Sequence, residues 1–171
     1  KLGEIAEYVN GFPFKPTDWK LSGKKIIRIQ NLTGTSDIYN FTDRKDVPAK
    51  YLVKRGDLLI SWSATIGFYF WSNNDAYLNQ HIFKVVPSEK VLKEYLYALR
   101  SKIIKEITGN VHGNTMKHIT KGRFDNIKIP LPPIEVQKEI VEQIEVKQNA
   151  IEHAKAIIKN LERETIFWPI A

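Results

Sequence analysis

The side chains best suited to chemistry in this chain are amides, hydroxyls and cations, and they gather in irregular segments. Gln30, Asn31, Thr33, Thr35, Arg44 and Lys45 share one stretch, and Ser61, Ser63, Thr65, Asn73 and Asn74 a second. Asn79, Gln80 and His81 interrupt an apolar run, and His112, Asn114, Thr115, Lys117, His118 and Lys121 close the set. Such groups read the edges of bases: Asn and Gln pair bidentately with adenine, Arg and Lys with guanine, Ser and Thr hydroxyls with either. Any one of them alone reads first as a turn residue or a strand end. Asn79–His81 stands out, because three polar residues within a strand must either reach a ligand or form a buried hydrogen-bonded cluster. The candidate DNA contacts are therefore Gln30, Asn31, Thr35, Arg44, Lys45, Ser63, Thr65, Asn73, Asn74, Asn79, Gln80, His81, His112, Asn114, Lys117 and Lys121. Trp62, Tyr69 and Trp71 read as core rather than as base-stacking platforms.

The parts most enzymes need are missing from the sequence. It has no G-x-x-x-x-G-K-[ST] phosphate loop and no G-x-G-x-x-G after a strand. It has no G-x-S-x-G elbow, and its four histidines do not stand at metal-ligand spacings with a third ligand. Leu131-Pro132-Pro133-Ile134 superficially matches the Pro-Pro segment of adenine methyltransferases, but it lacks the preceding Asn or Asp and the following aromatic residue. Asp18-Trp19-Lys20 and Asp43-Arg44-Lys45 have the carboxylate–lysine spacing of some nucleases without the upstream acidic pair. No catalytic residue and no metal ligand is assigned.

The elements that must hold these side chains fall into two unlike parts. In the first, short apolar runs alternate with turn signals. Leu2–Val9 ends at Asn10-Gly11, Ile26–Ile29 reads as a short buried strand, and Lys54–Asp57 is a tight turn before the strand Leu58–Trp62. Ile66–Trp71 and Ala76–Val86 read as further strands, the latter closed by Pro87. Leu92, Tyr95, Leu96, Leu99, Ile103 and Ile107 recur on one helical face, predicting a helix from about Ser88, its N-cap, to Ile107, stopped by Gly109. Ile127–Leu131 is expected as a final strand. The second part is one long helix from Ile134 to about Thr165, some 48 Å at ~1.5 Å per residue. Ile140, Ile144, Ile151, Ala154, Ile158 and Leu161 alternate at heptad positions along it, interrupted by Gln137 and Lys147. A seam this narrow suits coiled-coil pairing better than docking on a globule, and the chain supplies no second helix of that length. The expectation is a mixed α/β (α+β) globule with a β-sheet core and short helices over residues 1–133, then a coiled-coil-forming helix over residues 134–171.

Charge follows the same division. Residues 1–133 carry 21 Lys/Arg against 12 Asp/Glu, whereas residues 134–171 carry 5 against 7. The net +7 therefore belongs to the globule, where it can attract a polyanion such as duplex DNA. No run approaches the roughly 18 apolar residues of a membrane span, so no membrane partner is expected. The absence of cysteine fits a reducing cytoplasm. A start at Lys1 without methionine reads as a piece excised from a longer protein.

Nine motifs in order then carry a resemblance. They are Leu2-Gly3-Glu4-Ile5, Gly11-Phe12-Pro13-Phe14, Ile27-Arg28-Ile29-Gln30-Asn31-Leu32, Gly56-Asp57-Leu58-Leu59-Ile60-Ser61 and Ala64-Thr65-Ile66-Gly67. After these come Leu78-Asn79-Gln80-His81, Gly113-Asn114-Thr115-Met116, Ile129-Pro130-Leu131-Pro132-Pro133 and Gln137-Lys138-Glu139-Ile140-Val141. Together they resemble the target recognition domain and conserved helix of type I restriction-modification specificity subunits, over about residues 1–165. The resemblance implies a non-catalytic α/β recognition domain reading one half of a split DNA site. It implies a helix that is both spacer and dock for the methyltransferase (modification) subunit, with the restriction subunit joining indirectly. S-adenosylmethionine, ATP and Mg would all bind those partner subunits and none this chain. Such subunits usually carry two recognition domains and two helices; here there is one of each, so a second recognition half or a homodimer is expected through the helix. Phe167–Ala171 departs from the usual continuation of the helix. The alternative is the C-terminal recognition half of a fused methyltransferase-nuclease, and a third reading is a protein-interaction adaptor whose basic surface serves solubility.

Overall fold

Leu58-Leu59-Ile60-Ser61 is apolar without alternation, the signature of a strand covered on both faces. In the computed structural model, which describes residues 1–109 and 119–166 with side chains through Glu162, all four of these residues are buried. Leu58 and Ile60 point into a core shared with Leu2, Tyr8, Phe83, Leu96, Ile103 and Phe124. Leu59 points the other way, into a second core with Ile27, Val53, Trp71, Leu78 and Ile82.

Two four-stranded sheets supply these cores. In chain order the strands are β1 (Ala6–Asn10), β2 (Lys24–Ile27), β3 (Asn40–Thr42), β4 (Leu52–Val53), β5 (Leu58–Ser61), β6 (Gly67–Phe70), β7 (Ala76–Leu78) and β8 (Ile82–Pro87). The first sheet is antiparallel in the order β1-β8-β5-β6. The second runs β3-β2-β7-β4, and within it β2 and β7 are parallel. Helix α1 (Ile29–Thr33) follows β2, while α2 (Lys93–Ala98), α3 (Arg100–Thr108) and α4 (Lys121–Asp125) contribute to the first core. Helix α5 spans Ile134–Ile166.

Several expected elements differ in instructive ways. Ala76–Val86 is not one strand but two, β7 and β8, in different sheets. The polar triplet Asn79–His81 is the corner between them, and His81 turns it with φ 73°, a left-handed conformation that histidine enters more readily than most residues. The corner is held by backbone bonds: Asn79 N–H donates to the Ile27 carbonyl at 3.1 Å, Gln80 N–H to Phe12 at 3.0 Å, and Trp62 N–H to His81 at 3.2 Å. Gly11 lies so close that a Cβ there would stand 1.9 Å from the Asn79 carbonyl oxygen. Only glycine fits.

The helix predicted from Ser88 to Ile107 begins later and breaks once. Ser88 forms a turn, with its hydroxyl accepting from Lys90 N–H at 3.3 Å, and α2 starts at Lys93. At Leu99 ψ rises to 1°, and the Arg100 guanidinium takes the Tyr97 carbonyl at 3.0 Å. Gly109 does end α3. The Ile26–Ile29 strand stops at Ile27, because Ile29 opens α1. Ile127–Leu131, expected as a strand, joins no ladder. Three prolines nearby remove donors, and the segment is tied by Leu2 N–H to the Ile127 carbonyl at 3.0 Å and by the Tyr95 hydroxyl to Pro130 at 3.2 Å. Among the described residues no helix is long and apolar enough to cross a membrane.

Candidate nucleic-acid interface

A set of cations on one strand and two connecting segments needs only proximity to become an anion-binding surface. The second sheet supplies it. A cleft of about 680 Å³ is lined by Lys24 and Lys25 of β2, by Arg44 and Lys45 beyond β3, by Arg55 of the Lys54–Asp57 turn, and by Asn73 and Asn74. Two acidic residues, Asp43 and Asp75, share the lining. The turn that carries Arg55 is rigid: Asp57 N–H donates to Lys54 at 3.0 Å, Gly56 N–H to Trp71 at 2.7 Å, and Gly56 has φ 86°. The turn that carries Asn74 is fixed by the Trp71 indole N–H, which donates to the Asn74 carbonyl at 2.9 Å and leaves the side chain exposed. Rigid turns presenting exposed amides among cations are suited to reading base edges while phosphates are held.

The cations of the cleft are not equivalent. Arg44 is held by two carboxylates, Asp46 at 2.6 Å and Asp18 at 3.0 Å, and its guanidinium lies 5.1 Å from the Phe12 ring centroid. Hydrogen bonding to Asp46 and then to Asp18 pushes the Arg44 pKa up. In return Arg44 holds the Asp46 carboxyl below its usual range, while Asp18 is lowered first by the Lys15 N–H and then by Arg44. Lys24, Lys25, Lys45 and Arg55 form no ion pair among the described residues. Lys25 lies over the Tyr39 ring at 4.5 Å, which orients its ammonium without neutralising it. These free cations, Lys24, Lys25 and Arg55, were not among the sequence candidates. The Lys24-Lys25 pair and the basic turn were visible, but nothing in their spacing shows that the fold brings them to one cleft.

The remaining candidates separate. Asn31 is a loop staple: its Oδ1 accepts from Arg28 N–H at 3.0 Å, and its Nδ2 donates to Ser36 at 3.1 Å and Ile38 at 2.9 Å. Gln30 is partly buried on α1, and Thr35 caps the same turn through Thr33 at 3.0 Å. Asn31 and Asn73 line a common hollow with Tyr69 and Trp71, so α1 does adjoin the cleft's amide turn. Ser63 is buried and Thr65 exposed in the β5–β6 loop, where Ala64 has φ 56°. His81 and Lys121 meet in a separate apolar hollow with Trp62 and Phe83. Lys121 pairs there with Asp125 at 2.7 Å. Asn79 Oδ1 and His81 Nδ1 are buried with no hydrogen-bond partner among the described residues. Gln80 is half-buried in the corner. His112, Asn114 and Lys117 lie outside the described residues, as do Thr115 and His118.

Helix α5 meets the globule at its first turns only. Gln137 is fully buried, and Ile140 and Val141 pack on the first core. Gln137, expected as an interruption of the seam, is thus an anchor, and Ile140 is covered within the chain rather than left for a partner. From Glu142 onward every described residue is exposed. Ile144, Ile151, Ile158 and Leu161 stand 40–56% exposed, with Ala154 also exposed among them.

The chain thus combines a basic cleft on a two-sheet domain with a long projecting helix. The family model for the type I restriction modification DNA specificity domain matches residues 1–163, and the chain belongs to that family. It is 26% identical over 165 residues to the EcoBI specificity subunit of Escherichia coli, covering 94% of this chain and 34% of the relative. It is 30% identical over 169 residues to the MjaVIII specificity subunit of Methanocaldococcus jannaschii, covering 88% of this chain and 36% of the relative. The chain thus spans about a third of the length of the curated relatives it matches. The fold is shared with the HsdS subunit from Thermoanaerobacter tengcongensis, at TM-score 0.64 and 20% identity over 96% of this chain and 42% of that one. A chain from a structure of type I R-M system assembly and conformational transition matches at TM-score 0.74 and 22% identity, over 95% of this chain and 41% of that chain.

Proposed function

We propose that this chain reads one half of a split duplex-DNA site through the cleft of the second sheet. Lys24, Lys25, Lys45 and Arg55 hold phosphates, and Asn73 and Asn74 meet base edges between them. Helix α5 is the spacer: its exposed seam pairs with a second recognition half or a second copy, and the modification methyltransferase subunit docks along it. The restriction subunit joins through that assembly. The chain itself performs no covalent step, and S-adenosylmethionine, ATP and Mg act on the partner subunits. The observation that carries this reading is the convergence, around two exposed asparagines, of four cations that form no ion pair among the described residues. Phosphate contacts fix register and base contacts supply sequence, and the cleft offers both kinds of group. The test is selection from a randomised duplex pool by the purified chain, followed by sequencing. A short enriched motif is the expected result; a pool unchanged after several rounds would end the proposal.

A further inference from the structure

We propose that Gln137 is the positioning residue that fixes the direction of α5 against the recognition globule, and thereby the separation at which half-sites are read. The second clause rests on the split-site reading above. Gln137 is fully buried, and its amide is satisfied by three bonds to two other segments. Its Oε1 accepts from Leu92 N–H at 3.0 Å, and its Nε2 donates to the Lys90 carbonyl at 2.9 Å and to the Pro132 carbonyl at 2.8 Å. Lys90 and Leu92 belong to the segment between β8 and α2, and Pro132 to the approach to α5. One side chain therefore ties the base of the rod to the globule and to the rod's own entry.

The apolar contacts of Ile140 and Val141 cannot do this alone, because burial is non-directional and tolerates sliding. Three hydrogen bonds from one planar amide accept one orientation. The approach is pinned independently through Ile127 and Pro130, so the helix start cannot shift to compensate. Precision matters because the rod is a lever. From Val141 to Ile166 it runs about 38 Å at ~1.5 Å per residue. A swing of about 5° then moves its tip by about 3.3 Å, close to the ~3.4 Å rise of one base pair. A half-site reader that distinguishes neighbouring spacings must hold this joint to a few degrees.

The chain has no cysteine, so two can be introduced for spin labels without background. Lys102→Cys on α3 and Lys159→Cys on α5 place one label on the globule and one near the rod's end. Gln137→Met keeps the volume and removes all three bonds. Leu92→Pro removes the N–H that Gln137 accepts, together with a side chain packed on the first core, at a residue whose φ of −83° lies near proline's range. The expected result is a label-to-label distance distribution broader by about 2.4 Å in either variant than in the 171-residue parent, the displacement that roughly 5° of slack gives at Lys159, about 27 Å beyond Val141. In duplex selection the variants should enrich the same half-site motif but accept neighbouring gap lengths. Thermal melts identify a variant that fails to fold, in which case the other carries the measurement. Unchanged distance distributions in the folded variants overturn the proposal, as does a parent distribution already as broad. If the parent enriches no DNA sequence, the DNA reading falls, while the distances still decide the anchor.

Discussion

Replacing Lys25 and Arg55 with alanine tests the cleft through its charge. Four cations line it without an ion pair among the described residues: Lys24, Lys25, Lys45 and Arg55. Arg44 is left out because Asp46 and Asp18 already neutralise it. If each of the four meets one phosphate, log K against log salt should fall with a slope of about −3.6, at roughly 0.9 per contact. Between about 50 and 200 mM salt the affinity should then drop about 150-fold. The double variant should retain a slope of about −1.8 and lose only about 12-fold over the same range. Fluorescence anisotropy of a labelled duplex across a salt series reads both slopes, and a duplex of any sequence serves. Arg44→Ala is the control and should leave the slope unchanged. Equal slopes in the parent and the double variant would refute the assignment of phosphates to this cleft.

Ile151→Glu with Ile158→Glu should abolish pairing through α5 and leave the globule folded, since both lie far beyond the anchored turns; sedimentation velocity and a thermal melt check the two halves of that statement. Leaving such an isoleucine in water forgoes roughly 1.5–3 kcal/mol, so a parent that stays monomeric at every concentration and binds no methyltransferase subunit would remove the spacer role. Asn31→Ala should cost about 0.5–1.5 kcal/mol, the net worth of a part-exposed hydrogen bond, with sequence preference unchanged. Asn73→Ala and Asn74→Ala should do the reverse, altering the selected motif with little effect on the melt. Acid should weaken the Arg44 cluster. Asp18 and Asp46 have folded pKa values below their unfolded ones, so their contribution is present at neutral pH and lost as pH falls through the folded values, below about 4. Melts from about pH 6 to about pH 3 should fall more steeply for the parent than for Arg44→Ala.

The elements legible in the sequence were those whose own chemistry decides them. The unbroken Leu58–Ile60 run, the Lys54–Asp57 turn and the long heptad helix all stand where expected. What escaped was decided by partners distant in sequence. Asn79–His81 looked like a polar interruption because nothing local shows that Leu78 pairs with Ile27 while Ile82 pairs with Ser61. Gln137 looked like a flaw in a heptad seam; its partners are Lys90 and Leu92, more than 40 positions earlier. Arg44 reads as a base contact by type, yet Asp46 and Asp18, the latter from another loop, already engage its guanidinium. Residue type suggests a chemistry, but which copies of that type remain unneutralised is a property of the fold.

The strand order also limits how parts of this domain can be exchanged. The first sheet takes strands from residues 6–10, 58–70 and 82–87, and the second from 24–27, 40–42, 52–53 and 76–78. The two are interleaved along the chain, so neither can be exchanged as a contiguous block without cutting the other. A swap that keeps both sheets whole therefore takes either the whole globule or a connecting segment outside the ladders. The segment between α1 and β3 and the Trp71–Asp75 turn both leave every ladder intact, which makes them the natural units of graft between relatives.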